Sequence, residues 1–421
     1  MAGKVLNILC ISRFFKGGEF IKSAKAEGNN VYLLTSNKLD KEDWPWDYID
    51  DTFYMVEDEE GHWHRDHLIG GLAYKMRNTK FDVMVALDDF DVEHVAHLRE
   101  YFRIPGMGET TARYFRDKLA MRIKAQAEGI PVPVFTPLFH DEAIHKYTDS
   151  VPPPWLVKPR MQASAAGIKK VFNKEELWDH LNYLGGERHQ YLMEKFAPGT
   201  VFHVDSLTYD GKVVFSRVSE YIDTPYEVAH GGGIFRSCTI EEGSAEDASL
   251  KKINDDVMKG FGMEYSASHS EFIKCIEDDK YYFLETASRV GGAHLAEMVE
   301  FATGINLWAE WARIETAVCR KEKYILPKIK KDNAGILVSL SKYERPDTSA
   351  FNDKEIVWRM KKKNHIGMIL KSKDRKKILA LLDSYCEKVK HEFHASMPAK
   401  EKLVDLKINL FEILERFQLH A

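Results

Sequence analysis

At 421 residues with 44% hydrophobic content and no low-complexity tract, the chain is long enough for two to four domains around filled cores. Its formal charge of -5 excludes a general electrostatic pull toward nucleic acid or acidic membranes, and the lysines crowded between Lys361 and Lys377 read as a solvated face. Five cysteines without a C-x-x-C spacing read as reduced thiols of a cytoplasmic protein, and "KVLNILCIS" is too short for a membrane span and lacks a cleavage site.

In chain order, "VLNILCIS" reads as a buried strand, "GGEFIKSAKAEG" as a helix closed by Gly28, and "NVYLLTS" and "FDVMVALDD" as further strands. This β-α-β rhythm predicts a parallel sheet, with the aromatic run from Trp44 to Tyr54 packed at a β-α connection. The pair Gly17-Gly18 lacks the G-x-G-x-x-G order of a dinucleotide site. Two helices separated by Pro105-Gly106 follow, the second capped around Glu109, Thr110 and Thr111 and closed by Gly129 and Pro131. A domain boundary is expected near residue 112. "VPPPWLVKPRMQASAAGIKKV" predicts a hairpin with a flexible small-residue tip, and the stretch after Tyr191 more strands, with a tight turn at Asp210-Gly211. The hairpin "SEFIKCIEDDKYYFLETAS" precedes a helix from about Leu295 to Ala317. Beyond Ala334, two strands and the helix "DRKKILALLDSYCEKV" predict a small α/β unit.

Pairing Ile276 with Lys280 across the short turn places Glu271 opposite Glu285, so two carboxylates share one end of a sheet. Like charges that close resist burial unless a cation neutralises them, and hard oxygen donors on a rigid hairpin suit Mg²⁺. Two acids facing water at a strand end are the other use of the same pattern. Lys158 projects from the end of "PWLV" and Lys118 lies in a helix; either alone reads as a surface lysine. The loop Gln162 to Gly167 alters that reading, because Ser164, Ala165, Ala166 and Gly167 let backbone N–H groups approach an anion closely. Cations, a small-residue loop and paired acids are what a polyphosphate and its metal require, although no P-loop occurs.

In this order the features resemble the ATP-grasp superfamily of carboxylate-amine ligases, most of all its L-amino acid ligase and biotin carboxylase-like branch. "FDVMVALDDFDVEHVAHLREYFRIPGMG" is similar to the end of the family's N-terminal domain and "RDKLAMRIKAQAEGIPVP" to its linking helix. "WLVKPRMQASAAGIKKV" looks like the phosphate strand and loop, "YLMEKFAPG" like the adenine hinge, and "SEFI" with "YYFLETASRVGG" like the metal hairpin. The resemblance implies a multidomain α/β and α+β chain with the ATP-grasp fold. A parallel-sheet, Rossmann-like domain is expected over residues 1–112, a linking helix and small mobile lid over 113–195, a mixed-sheet catalytic domain over 196–325, and a C-terminal α/β subdomain with a tail helix over 326–421.

It further implies that Lys118 and Lys158 contact the phosphates of ATP beneath a loop containing Ser164 and Gly167, and that Glu194 accepts from the adenine amino group. Lys195 and Phe196 would line the hinge and His203 would lie near the ribose, a strand histidine satisfied by a neighbour being the other reading of His203. Glu271 and Glu285 would hold Mg²⁺ or Mn²⁺, and Arg289, with Gly291 beyond it, would grip a substrate carboxylate or acyl phosphate. The implied reaction activates a small-molecule carboxylate as an acyl phosphate, releases ADP, and passes the acyl group to an amine, an amino acid or small peptide. Bicarbonate activation and ATP binding without turnover are the alternatives, the second raised by Ala287, which stands where the family usually has a metal-binding Asn. "AHGGGIFRS" reads either as a connector or as an acceptor-site loop in which Arg236 faces an anionic substrate group. In the tail, Leu403, Leu406, Leu410, Ile413 and Phe417 recur at helical spacing, suited to packing on the chain's own domain or to a homodimer seam.

Overall fold

The computed structural model describes residues 3–59, 61–163 and 165–395. Its first sheet is parallel, built from β1 (Asn7–Ser12), β2 (Asn30–Ser36), β3 (Asp51–Met55) and β4 (Val83–Ala86) in the order β3-β2-β1-β4. β1 is apolar at nearly every position because both faces are covered. Ile8 and Cys10 pack toward α1 (Gly18–Ala26), while Leu9 and Ile11 pack toward α2 (Arg65–Met76) and α3 (Val92–Phe102). Trp44 is buried in the first of these cores, the packing role expected of the aromatic run. β3 and α2 were not legible in the sequence: β3 is an edge strand with an exposed face, and only Leu68 and Leu72 of α2 are buried, too few to mark a helical stripe.

The second expected helix after Pro105 divides into α4 (Glu109–Arg113) and α5 (Lys118–Ala127). Asp117 causes the break, since its side chain accepts from the backbone N–H groups of Leu119 and Ala120 and starts a new helix. Lys118 therefore opens a helix. The small sheet follows, antiparallel in the order β5-β8-β6-β7, from β5 (Phe135–Pro137), β6 (Trp155–Pro159), β7 (Lys169–Val171) and β8 (Tyr191–Lys195). Its own core forms against α6 (Asp141–Ser150) and α7 (Lys174–Leu184), around Trp155, Ile144 and Leu177.

The third sheet has eight strands, β9 (Gly199–Tyr209), β10 (Lys212–Tyr221), β11 (Phe235–Thr239), β12 (Ser266–Cys275), β13 (Tyr281–Ala287), β14 (Asn333–Leu340), β15 (Ile356–Arg359) and β16 (His365–Ser372). They lie in the order β13-β12-β9-β10-β11-β14-β16-β15. Between them come α8 (Pro225–Gly231), α9 (Ala245–Gly260), α10 (Leu295–Thr303) and α11 (Leu307–Arg320), and α12 (Arg375–Glu392) follows. The strands expected as a separate C-terminal unit continue this sheet, β14 pairing antiparallel with β11. The reason lies in "AGILVSL": Ala334 and Ile336 pack toward α10 while Leu337 packs toward α12, so β14 is a central strand buried on both faces. On the face toward α5 and α9, Phe202, Val204, Phe272 and Phe283 form an apolar core; on the opposite face of β9 and β12, His203, Asp205, His269 and Glu271 form a polar patch flanked by the apolar Val201 and Ile273 at one end and Leu207 and Ala267 at the other. Among the described residues no helix is long and apolar enough to cross a membrane. The tail repeat from Leu403 to Phe417 lies outside the described residues.

Candidate active site

A cavity of about 460 Å³ opens between the small sheet and the polar patch of the large one, lined among others by Lys118, Lys158, Glu271, Glu285 and Arg289. Residues 162, 163, 165 and 166 of the small-residue loop, with Ile168 just beyond it, form one wall. Gly167 within that loop has φ +72°, and a Cβ there would sit 2.9 Å from Pro159, so only glycine suits the turn. Ser164 lies outside the described residues.

The acid pair is formed as the hairpin pattern predicts, with Glu271 and Glu285 directly opposed, but the route differs. Cys275, not Ile276, pairs with Lys280 at the turn, its N–H donating to that carbonyl at 2.9 Å. A bulge at Leu284 then restores the register. The bulge also frees the Leu284 carbonyl, which accepts from Arg122.

Strand pairing builds a second layer that the sequence reading missed. β9 sets His203 opposite Glu271 and Asp205 opposite His269, and β13 sets Ala287 opposite His269. Side chains two apart share a face, so these groups converge. Asp205 is fully buried and bridges the two imidazoles, with Oδ1 2.8 Å from His269 Nδ1 and Oδ2 2.8 Å from His203 Nδ1. His203 Nε2 lies 2.8 Å from Ser237 Oγ, and Tyr221 donates its hydroxyl to Glu271 Oε1 at 2.9 Å. Burial pushes the Asp205 carboxyl up, but His269 and His203 outweigh it and hold the group far below the usual carboxylate range. Burial alone would lower His269; Asp205 raises it instead to about 9. For Glu271, burial is outweighed by His269 and the Tyr221 hydroxyl, which hold it below its ordinary value. Burial and neighbouring Glu271 push the Tyr221 hydroxyl well up, so it remains a donor. Each of these strands carries polar residues at alternate positions, "HVD" in β9 and "HSE" in β12, which was the available signal.

The cations are positioned from three elements. Lys118 reaches Glu285 Oε2 at 2.6 Å and the Gln162 carbonyl at 2.7 Å, tying the start of α5 to the hairpin and to the loop. Lys158 contacts Glu194, which also accepts from Arg122 Nε at 3.0 Å and Nη2 at 2.8 Å. Burial pushes the Glu194 carboxyl up, but Arg122 and Lys158 outweigh it and keep it below its usual value. Arg289 donates to Asp89 Oδ2 at 2.7 Å, joining the large sheet to the segment after β4. Asp89 is raised by burial and lowered more by Arg289 and Arg116. Arg116 itself lies 4.5 Å over the Phe90 ring.

Lys118, Lys158, Glu271, Glu285 and Arg289 are thus gathered around one cavity, whereas Glu194, Lys195, Phe196, His203, Arg236 and Gly291 are absent from its lining. Glu194 is 1% exposed and both its carboxylate oxygens face cations, so its side chain does not line the cavity as an adenine acceptor would. His203 is fully buried between Asp205 and Ser237, the satisfied strand histidine of the second reading, because its alternate position on β9 turns it into the sheet's polar layer. Arg236 points at Asp223 and Asp383, at 2.7 Å from each, and is absent from the cavity wall. Lys195 pairs with Glu277 at 2.8 Å, while Phe196 lies 3.5 Å beneath Lys170. Gly291 has a different use: a Cβ there would meet Asp205 Oδ1 at 2.7 Å and His269 Nδ1 at 2.9 Å, so the glycine turn closes directly over the Asp–His hydrogen bond.

No family model matches the chain. It is 29% identical over 234 residues to an L-arginine-specific L-amino acid ligase of Bacillus subtilis, covering 54% of this chain and 56% of that protein. It is 25% identical over 208 residues to a D-alanine–D-alanine ligase of Neisseria gonorrhoeae, covering 48% of this chain and 67% of that one. The chain thus spans little more than half the length of the first of these relatives. Its fold matches the crystal structure of an L-amino acid ligase from Bacillus licheniformis, with a TM-score of 0.69 at 17% identity over 93% of this chain and 98% of the other.

Proposed function

We propose that this chain, which has the ATP-grasp fold and carboxylate–amine ligases among its relatives, is an ATP-dependent ligase that joins an amino acid carboxylate to an amine. One observation carries the reading: opposed Glu271 and Glu285 share a cavity with Lys118, Lys158, Arg289 and a glycine-containing loop. The donor set suits a hard divalent ion, since the two carboxylates are cross-strand partners and Lys118 already compensates Glu285 with positive charge. Glu271 and Glu285 would hold Mg²⁺ or Mn²⁺, which when bound offsets charge on the transferring phosphoryl group.

The carboxylate oxygen of the substrate attacks the γ-phosphorus of ATP and ADP leaves, giving an acyl phosphate. The amine nitrogen then attacks the acyl carbon, phosphate departs with the C–O bond electrons, and the nitrogen loses a proton. Lys118 and Lys158 hold the phosphates, Arg289 orients the carboxylate through its planar fork, and loop 162–167 excludes water that would hydrolyse the acyl phosphate. Asp89 fixes Arg289 and Glu194 fixes Lys158, so both act as positioning residues. The same reading divides the chain at about residues 112 and 195, with the strands after residue 325 kept in the large sheet. The five free cysteines support a cytoplasmic location.

The test is to incubate the protein with ATP, Mg²⁺ and a panel of amino acid pairs and to follow ADP, phosphate and a new amide by mass spectrometry. Amide formation matched to ADP release is expected. ADP release that depends on bicarbonate, or nucleotide binding with no ADP release on any pair, overturns the reading.

A further inference from the structure

We propose that Arg116 contacts the phosphoryl group as it passes from ATP to the substrate carboxylate, a catalytic contact additional to those of Lys118, Lys158 and Arg289. The inference rests on the reading above that this cavity carries out an ATP-dependent ligation.

Arg116 lines the cavity together with Lys118, Lys158 and Arg289. The other three each have a carboxylate partner: Lys118 meets Glu285 at 2.6 Å, Arg289 meets Asp89 at 2.7 Å, and Lys158 contacts Glu194. Arg116 forms no ion pair among the described residues, although it is only 7% exposed. Among those residues its hydrogen bonding is limited to Nη2, which donates to the Met161 carbonyl, and the Phe90 ring lies 4.5 Å from Cζ. A guanidinium carries five N–H donors, so most of those of Arg116 are left for a guest in the cavity. Burial holds its pKa below the ordinary arginine value, more than Asp89 and Glu93 restore, yet an arginine in a protein keeps its charge. A buried charge without a counterion is costly, and an anion in the cavity relieves that cost.

The neighbours of Arg116 say which anion. It stands in the turn between α4 and α5, two residues before Lys118. Arg116 donates to the Met161 carbonyl and Lys118 to the Gln162 carbonyl, so both reach the start of the loop that walls the phosphate side. On the other side, Phe90 adjoins Asp89, the partner of Arg289. Both Asp89 and Glu285 act on the Arg116 charge. The guanidinium therefore lies between the cation assigned to the phosphates and the one assigned to the carboxylate, where the phosphoryl group is transferred. In that step the bond from the γ-phosphorus to the bridging oxygen breaks, its electron pair leaving on ADP, while a carboxylate oxygen forms the new bond to phosphorus. Arg116 neither gives nor takes a proton. Its N–H groups, held by a ring face and a carbonyl, meet the charge spread over the equatorial oxygens without having to reorganise. Lysine lacks both the planar fork and the flat face that Phe90 covers, so the two are not interchangeable here.

The test compares the full chain with its Arg116→Lys variant, using ATP, Mg²⁺ and an amino acid pair that the wild type ligates, and reads ADP release, the KM for each substrate and the arginine ¹⁵Nε resonances. In the variant kcat should fall about a hundredfold or more, while the KM values for ATP and for the carboxylate stay within about threefold. One arginine ¹⁵Nε resonance, absent from Arg116→Lys, should shift when aluminium fluoride joins ADP, Mg²⁺ and the carboxylate, as a mimic of the phosphoryl group in flight, and should stay in place with ADP and Mg²⁺ alone. Arg116→Gln assigns the resonance and supplies the same kinetic readouts if the lysine variant does not fold. A kcat within about threefold of wild type, a loss carried by the KM of the carboxylate alone, or a resonance that aluminium fluoride leaves unmoved overturns the role of Arg116 while ligation by the wild type stands. Absence of ADP release by the wild type on every pair overturns both.

Discussion

Glu194→Gln tests whether the buried charge cluster behind the cavity does what its geometry implies. The wild-type carboxylate is 1% exposed and accepts two hydrogen bonds from Arg122 and one contact from Lys158. The amide keeps the shape, but it removes the negative charge that both cations share and turns an N–H₂ group toward a cation. Breaking a buried pair by neutralising one partner costs about 3–5 kcal/mol. The lower end applies, because Lys158 borders the cavity and can turn to water, whereas Arg122 is fully buried and cannot. We therefore expect a loss of about 3 kcal/mol, roughly a 150-fold shift in the folding equilibrium. The sign with pH follows from the depressed Glu194 pKa, for which burial is outweighed by Arg122 and Lys158. Its contribution is present above the unfolded value, about 4.3, and is lost as pH falls through the lower folded value. Urea unfolding at a series of pH values should show the gap between wild type and variant fullest at neutral pH and closing in acid. ADP should recover part of the loss by giving Lys158 phosphate oxygens. A neutral-pH difference within about 0.5 kcal/mol, the range of a surface substitution, would refute the cluster's role.

Glu285→Gln should lower ADP release about a hundredfold or more while leaving the melting curve nearly unchanged, since Glu285 is only partly buried; near-normal turnover removes it from the site. Gly291→Ala should destabilise by about 1–3 kcal/mol and shift the His269 imidazole resonances, because its Cβ would lie 2.7 Å from Asp205, whereas Gly292→Ala, with no atom within 4 Å, should leave stability unchanged. Asp89→Asn should raise the KM for the carboxylate substrate about tenfold or more by weakening one charge-assisted hydrogen bond to Arg289, and an unchanged KM counts against Arg289 as the carboxylate clamp. In EDTA, the stability contributed by the raised pKa of His269 should be full below about pH 6.5 and lost as pH rises through about 9, so His269→Asn should flatten that alkaline decline.

The sequence by itself determined the parts of this protein whose geometry is local. β1 and β2 are continuous apolar runs, and the turn residues 277–279 bound a hairpin whose two-residue period brings Glu271 to Glu285. That pairing emerged even though the turn register is one residue off, because the bulge at Leu284 compensates. Lys158 and its small-residue loop were legible for the same reason, as a strand end followed directly by a turn. Tertiary structure alone decided what lies beneath. His203 and Asp205 meet His269 only through the β9–β12 register, across 64 residues between Asp205 and His269, and no local pattern states that register. Arg289 finds Asp89 across 200 residues, and Glu194 is claimed by Arg122 across 72. A strand's period specifies which residues share a face, but the partner of a buried charge depends on how separate elements pack. For that reason the acids and lysines could be read in advance, while the groups that hold them, and the histidine beside Ala287, came only with the fold.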